Sequence, residues 1–348
     1  MQNLTPIKNQ KVKSEQLIFE NIPLADKNWF RTGGNAKFYA EPKNGIEFQQ
    51  ALFFAKEHNQ EIFILGKGAN ILISDNGFDG LVLCPKLNEF EIVQEDNEFA
   101  LVKSGAGADF SDLINFCLEN NIVGLEEFSG IPGTVGGSVF INIHYFEFLL
   151  SQFIESAQVI EKSTGAIKTV DKNWFEFGYN YSTLHKDAHY LLNATFKLKK
   201  VDDKFAAYSK GRRDEIIRHR QKRYPISGTC GSFFRNFFEH EIPFEICGKK
   251  IIFVAYYLDK IGVKGQLKVN DAIVSYQHAN MIVNVANAKT ADIIELAKNM
   301  QKLVYEKFGI LPQPECRLIG FKEYPLYPIN GPGSIVTETP EPDHWGNL

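Results

Sequence analysis

Gly66-Lys67-Gly68-Ala69-Asn70-Ile71-Leu72-Ile73 is the stretch on which the fold turns. The apolar run Ile62-Phe63-Ile64-Leu65 before it reads as a buried strand. After it, the turn-rich Ser74-Asp75-Asn76-Gly77-Phe78-Asp79-Gly80 leads to Leu81-Val82-Leu83, a second short strand. Glycine at 66 and 68 lets the backbone approach a ligand and opens amide donors toward it, which suits a pyrophosphate. A plain tight turn accounts for these residues equally well.

Ser129-Gly130-Ile131-Pro132-Gly133-Thr134-Val135-Gly136-Gly137 tips that balance. Four glycines and a proline in nine residues suit no helix or strand interior. The apolar flanks Val123-Gly124-Leu125 and Val139-Phe140-Ile141 clamp the loop into a domain, so it is no linker. A backbone-lined wall against a flat or anionic ligand explains the composition.

With 348 residues, the chain is long enough for two or three packed units. Hydrophobic residues at 44% and charged residues at 23% are ordinary for a soluble globular protein. A net charge of −4 argues against a general nucleic-acid binder. The longest apolar run, residues 251–258, is too short to span a bilayer, and residues 1–16 lack the apolar core of a signal peptide. A cytoplasmic protein is therefore expected, with no membrane and no nucleic acid as partner. Cysteines 84, 117, 230, 247 and 316 form no CxxC pair, so reduced packing thiols and no metal site are expected.

Along the chain, Ile46, Ala51, Phe54 and Ala55 fall near one face of a predicted helix over 46–58. A hairpin is predicted across Glu95-Asp96-Asn97, and Asp109 or Ser111 is placed to cap a helix running to Asn120. Strands are predicted over 156–161 and 190–198. Residues 208–225 hold seven Lys or Arg against Asp214 and Glu215 and read as a helix, either a solvated face or an attractor for phosphates. The last helix is expected over 291–308, capped by Thr290 and stopped by Gly309. This divides the chain into a polar lead-in (1–20), a first domain (21–200), a second domain (205–320) and an irregular tail (321–348).

Asn28-Trp29-Phe30-Arg31-Thr32-Gly33-Gly34-Asn35-Ala36, the Gly66 loop and the Gly130 loop resemble, in this order, the FAD-binding half of the UDP-N-acetylenolpyruvoylglucosamine reductase (MurB) family. The likeness runs over roughly residues 20–320. It implies an α+β fold: a vanillyl-alcohol-oxidase/PCMH-type FAD-binding domain of two α/β subdomains, plus a smaller α+β substrate-binding domain. The resemblance assigns FAD to Gly66, Lys67, Gly68, Ala69, Asn70 and Ile71, and to Ser129, Gly130, Ile131, Pro132, Gly133, Gly136 and Gly137. Asn35 stands where covalent-flavin oxidases carry histidine, so non-covalent binding is expected. No Gly-x-Gly-x-x-Gly follows a strand, which fits one pocket shared by NADPH and the substrate.

Cys230-Gly231-Ser232-Phe233-Phe234-Arg235-Asn236 is similar to the family's Gly-Ser-Phe-Phe-Lys-Asn-Pro motif. By that likeness Ser232 is the proton donor and Asn236 a substrate contact. Leu311-Pro312-Gln313-Pro314-Glu315-Cys316-Arg317-Leu318-Ile319-Gly320 is similar to the C-terminal signature, with Glu315 as the catalytic glutamate; a surface pair of Glu315 with Arg317 is the plainer reading. Arg223-Tyr224-Pro225 stands where the family has Lys-x-Pro, a phosphate contact, and the chain resembles the shorter type without the tyrosine-loop insert. His278, in a further matching stretch, reads as a core histidine as readily as a site residue.

Phe177-Gly178-Tyr179-Asn180-Tyr181-Ser182 matches Phe-Gly-Tyr-Arg-x-Ser, with Tyr179 as a substrate contact and Asn180 in the catalytic arginine's place. Asn142-Ile143-His144-Tyr145-Phe146-Glu147 likewise replaces Asn-x-Gly-Ala-Tyr-Gly with bulkier groups. The resemblance implies an FAD- and NADPH-dependent enzyme, expected to be a monomer, that reduces UDP-N-acetylglucosamine enolpyruvate in peptidoglycan precursor synthesis. The departures leave open a paralogous FAD oxidoreductase with another substrate, or a catalytically impaired flavoprotein.

Overall fold

The computed structural model describes residues 17–328. Strand β1 (Ile18–Pro23) pairs antiparallel with β2 (Asn35–Ala40), so order begins inside the stretch read as lead-in. Helix α1 (Gly45–Glu57) is started by Asn44, whose side chain accepts from the Glu47 amide, while Glu47 accepts from the Lys43 amide. Its Phe48, Ala51, Leu52 and Ala55 are buried at the spacing of one helical face. Then come β3 (Ile62–Ile64), β4 (Ile71–Ile73) and β5 (Phe78–Leu83). The sheet order is β1-β2-β5-β3, with β5 parallel to both β2 and β3. Such an inner parallel strand is covered on both faces, which explains the continuous apolar Leu81-Val82-Leu83.

A second, antiparallel sheet follows. It is built from β6 (Phe90–Glu95), β7 (Phe99–Gly105), β8 (Ile122–Val123), β11 (Ile154–Glu161), β12 (Ile167–Asp171) and β13 (His189–Lys200), in the order β12-β11-β13-β7-β6 with β8 also on β13. Helices α2 (Phe110–Glu119) and α3 (Val135–Phe140) come from the same region, and a small hairpin of β9 (His144–Tyr145) and β10 (Phe148–Leu149) precedes β11. Asp109 caps α2 by accepting from the Ser111 amide, as its position foretold. Phe110, Phe128, Phe175 and Phe196 are fully buried in the core of this part.

Helix α4 (Asp203–Arg223) begins five residues before the expected start, because Asp202 accepts from the Phe205 amide and Ala206, Ser209 and Ile216 pack inward. The second part holds α5 (Val254–Lys260), a three-stranded sheet of β14 (Lys268–Val269), β15 (Ala272–Val274) and β16 (Ile282–Asn284), and α6 (Thr290–Phe308). Gly309, at φ 69, ends α6 as expected. Thr290 does not cap it. Thr290 is the first helical residue, and its hydroxyl donates to the Ile73 carbonyl at 2.6 Å. The carboxylate of Asp75 accepts from the Thr290 and Ala291 amides at 2.9 and 3.0 Å, so the cap comes from the other part of the chain.

Strand β17 (Arg317–Ile319) then returns to the first part and pairs parallel with β4. Residues 321–328 form no element but are docked, with Leu326 buried and the Tyr327 amide donating to Gln301 at 3.0 Å. The rest of the expected tail, and residues 1–16, lie outside the described residues. Among the described residues no helix is long and apolar enough to cross a membrane.

Candidate active site

Where the two parts meet lies a cavity of about 1050 Å³, at the large end of ligand pockets. Gly66, Lys67, Gly68, Ala69, Asn70 and Ile71 line it from one side, and Gly130, Ile131, Pro132, Gly133, Gly136 and Gly137 from another. The two glycine loops touch: a Cβ on Gly66 would stand 2.7 Å from Thr134 Oγ1. Gly68 holds φ 64, with a Cβ there only 2.6 Å from Asn28, so no other residue fits without displacement. The amides of Gly66, Lys67, Gly68, Ala69 and Asn70 donate to no acceptor among the described residues. Ser129 departs from expectation. It does not line the cavity but is fully buried behind the wall, its hydroxyl without a partner.

The Ser232 and Glu315 segments reach the same cavity together. They run antiparallel through a bridge between Phe234 and Pro314, with the Glu315 amide donating to the Phe233 carbonyl at 2.8 Å and the Arg235 amide to the Gln313 carbonyl at 2.9 Å. Asn280 grips the first segment, donating to the Phe234 carbonyl at 2.7 Å and accepting from the Phe234 amide at 3.1 Å. Arg235, in the family's lysine position, makes a bidentate pair with Glu241 at 2.7 Å. Two residues past Glu315, the Arg317 amide donates to the Asn70 carbonyl at 3.1 Å, so one strap spans from Ser232's partner strand to the glycine loop.

Burial raises the Glu315 carboxyl from 4.5 to about 7, and a hydrogen bond from Asn180 opposes that rise. Its residual exposure is to the cavity. Arg317 also lines the cavity, exposed there with its guanidinium 4.9 Å from the Phe140 ring and 5.5 Å from the Phe63 ring, and no ion pair joins it to Glu315 among the described residues. Asn180 lines the cavity at φ 53, in a turn braced by the Asn142 amide on the Gly178 carbonyl at 3.1 Å. Tyr179 and Asn236 do not line it. They bond to each other, and burial, with the Glu315 carboxylate nearby, pushes the Tyr179 phenol up to about 12. His144 does line the cavity, its ring 5.1 Å from Tyr179, and burial lowers its pKa. His278 is there too, held down to about 4 by burial.

Arg223 is exposed and does not line the cavity; Arg220 does. Its guanidinium lies 5.5 Å from the Tyr145 ring and 5.1 Å from the Tyr224 ring. Its Nε has no hydrogen-bond partner, and burial lowers its pKa. A cation so placed, without a carboxylate partner among the described residues, favours an incoming anion. The signal for it was helical: Ile217, Arg220, Gln221 and Tyr224 all line the cavity at spacings of three and four.

A model of the UDP-N-acetylenolpyruvoylglucosamine reductase C-terminal domain matches residues 221–319, and an FAD binding domain matches 36–171. The UDP-N-acetylenolpyruvoylglucosamine reductase of Caldicellulosiruptor saccharolyticus is 32% identical over 313 residues, 90% of this chain and 95% of that one. That of Lactobacillus johnsonii is 33% identical over 305 residues, covering 87% and 95%. The chain belongs to the UDP-N-acetylenolpyruvoylglucosamine reductase family. The crystal structure of MurB from Thermus caldophilus shares the fold, with a TM-score of 0.69 over 86% of this chain and 97% of that one at 24% identity.

The cofactor implied by the MurB family fits these residues. The unpaired amides of the Gly66 loop are donors awaiting a pyrophosphate. The bare backbone of the Gly130 loop leaves space for a flat ring system. The family pattern also sharpens two departures. Asn180 spends its amide on Glu315, and His144, Tyr145 and Phe146 add three rings to the cavity wall.

Proposed function

We propose that the chain reduces UDP-N-acetylglucosamine enolpyruvate to UDP-N-acetylmuramate in peptidoglycan precursor synthesis, using non-covalent FAD and NADPH. The observation that carries this reading is the strap at 313–319, which sets Glu315 beside the Ser232 segment and joins it to Asn70 of the glycine loop. Residues 21–200 hold the cofactor and 205–320 present the substrate to it. When bound there, FAD would supply the hydride chemistry between NADPH and the substrate's methylene carbon.

The chain's own residues do the rest. Ser232 lines the cavity, and its hydroxyl hands a proton to the carbon beside the one that takes hydride. Glu315, still half protonated near neutral pH, donates a hydrogen bond to the negative charge that develops on the substrate carboxylate. Asn180 orients Glu315. Tyr179, bonded to Asn236, lies close enough to Glu315 to feel its charge. Arg220, rather than Arg223, meets the diphosphate, held flat between two tyrosine rings. A nucleotide-sugar substrate fits a monomeric cytoplasmic enzyme supplying wall precursor for growth and division.

The test has two stages. Acid precipitation of the yellow protein should release free FAD into the supernatant. Anaerobic protein bleached by NADPH should then regain its flavin absorbance when the enolpyruvyl substrate is added. Bleaching without recovery would point to a paralogue with another acceptor. A colourless protein that FAD cannot reconstitute would overturn both.

A further inference from the structure

Cys230 and Cys316 take no part in that chemistry, yet they flank it. Cys230 precedes Gly231-Ser232, and Cys316 follows Glu315 directly. Their segments are the antiparallel pair held by the Phe234–Pro314 bridge. In that register residue 316 stands opposite residue 232 and diagonal to residue 230. Both side chains are buried in one apolar cluster, at 4% and 3% exposure, and Cys316 is near enough to help push the Cys230 thiol up. Cys230 also borders the cavity, although only 4% of it is exposed, while Cys316 does not. Among the described residues nothing lies within 4 Å of where a Cβ on Gly231 would sit, which leaves space beside the turn between Cys230 and Ser232.

We propose that Cys230 and Cys316 form a peroxide-oxidisable dithiol whose disulfide ties the Ser232 segment to the Glu315 segment and switches off substrate reduction. The consequence rests on the function proposed above; the thiol chemistry does not. One thiol loses its proton and attacks hydrogen peroxide, breaking the O–O bond to give a sulfenic acid and water. The second thiol attacks that sulfur, the S–S bond forms, and the hydroxyl leaves with a proton as a second water. Two thiols and one peroxide thus become one disulfide and two waters. Burial pushes the Cys230 thiol well up, so the reaction is slow at neutral pH and quickens as pH rises. Closing the bond draws the sulfurs together to about 2.05 Å. A shift of about 1 Å in Ser232 or Glu315 is enough to cost about a hundredfold in rate.

The experiment treats the flavin-loaded enzyme with hydrogen peroxide, alkylates the remaining thiols, and maps peptides without reduction. The expected result is a linked peptide pair containing Cys230 and Cys316. Enolpyruvyl turnover should fall about a hundredfold, flavin bleaching by NADPH should persist, and dithiothreitol should restore turnover. Cys316→Ala should give no linked pair and keep its turnover after peroxide. Both thiols remaining alkylatable once the exposed Cys247 is oxidised would overturn the proposal. A linked pair with unchanged turnover would also overturn it. Peptide mapping needs no substrate, so an enzyme with a different acceptor would still show the linked pair, and the two failures stay distinct.

Discussion

Raising the pH through 7 should switch off the substrate half-reaction, because it removes the proton that Glu315 keeps in the folded chain. Burial lifts this carboxyl from 4.5 to about 7. That shift is worth about 3 kcal/mol in favour of the protonated form. The protonated share is half near pH 7 and falls about tenfold for each further pH unit. Stopped-flow reoxidation of reduced enzyme by the enolpyruvyl substrate should follow that limb, while flavin reduction by NADPH should not. Glu315→Gln keeps a hydrogen-bond donor that cannot titrate, so its reoxidation should be flat over the same range. A limb that persists in Glu315→Gln, or a wild-type rate flat to about pH 9, would refute the role. The same shift acts on stability, with its sign fixed by where the proton sits. The folded state keeps the proton after the unfolded chain has lost it. The contribution is therefore whole below pH 4.5 and is lost as pH rises to about 7, by at most about 3 kcal/mol. Above that range Glu315→Gln should melt higher than the wild type.

Ser232→Ala should leave NADPH bleaching intact and slow substrate-driven reoxidation by about a hundredfold or more; equal damage to both steps would make Ser232 structural. Asn180→Arg meets a backbone at φ 53, which costs arginine about 1 kcal/mol. Its guanidinium should pull the Glu315 limb below pH 7 and lower the enolpyruvyl KM, and an unchanged limb and KM would show that position 180 meets neither group. Gly66→Ala places a Cβ 2.7 Å from Thr134 Oγ1 and pries the glycine loops apart. FAD affinity measured by flavin fluorescence should weaken at least about tenfold, roughly 1.4 kcal/mol; full affinity would separate that contact from cofactor binding.

The glycine loops were legible because their signal is local: turn residues between apolar runs admit few structures. Helix α1, the cap at Asp109 and the stop at Gly309 were legible for the same reason. What sequence reading lost was long-range. Nothing near Arg317 says that its strand pairs with Ile71–Ile73, and nothing near Thr290 says that Asp75 caps its helix. Arg223 was chosen from a linear motif, whereas the turn of α4 hands the cavity to Arg220, one helical turn earlier. Tyr179 and Asn236 were assigned to the substrate and turned instead to each other. Asn180 does line the cavity, and its bond to Glu315 was the part that sequence could not show. Each miss concerns a side-chain direction that packing sets and residue type does not.

The most direct measurement is anaerobic NADPH oxidation by the purified protein, with and without UDP-N-acetylglucosamine enolpyruvate, followed by mass analysis of the sugar nucleotide. The account predicts that oxidation continues past one flavin equivalent only with this substrate. One NADPH should be consumed for each product molecule, and the product should be heavier by two hydrogens. Oxidation that stops after one flavin equivalent in both samples, with the sugar nucleotide returned unchanged, would contradict it.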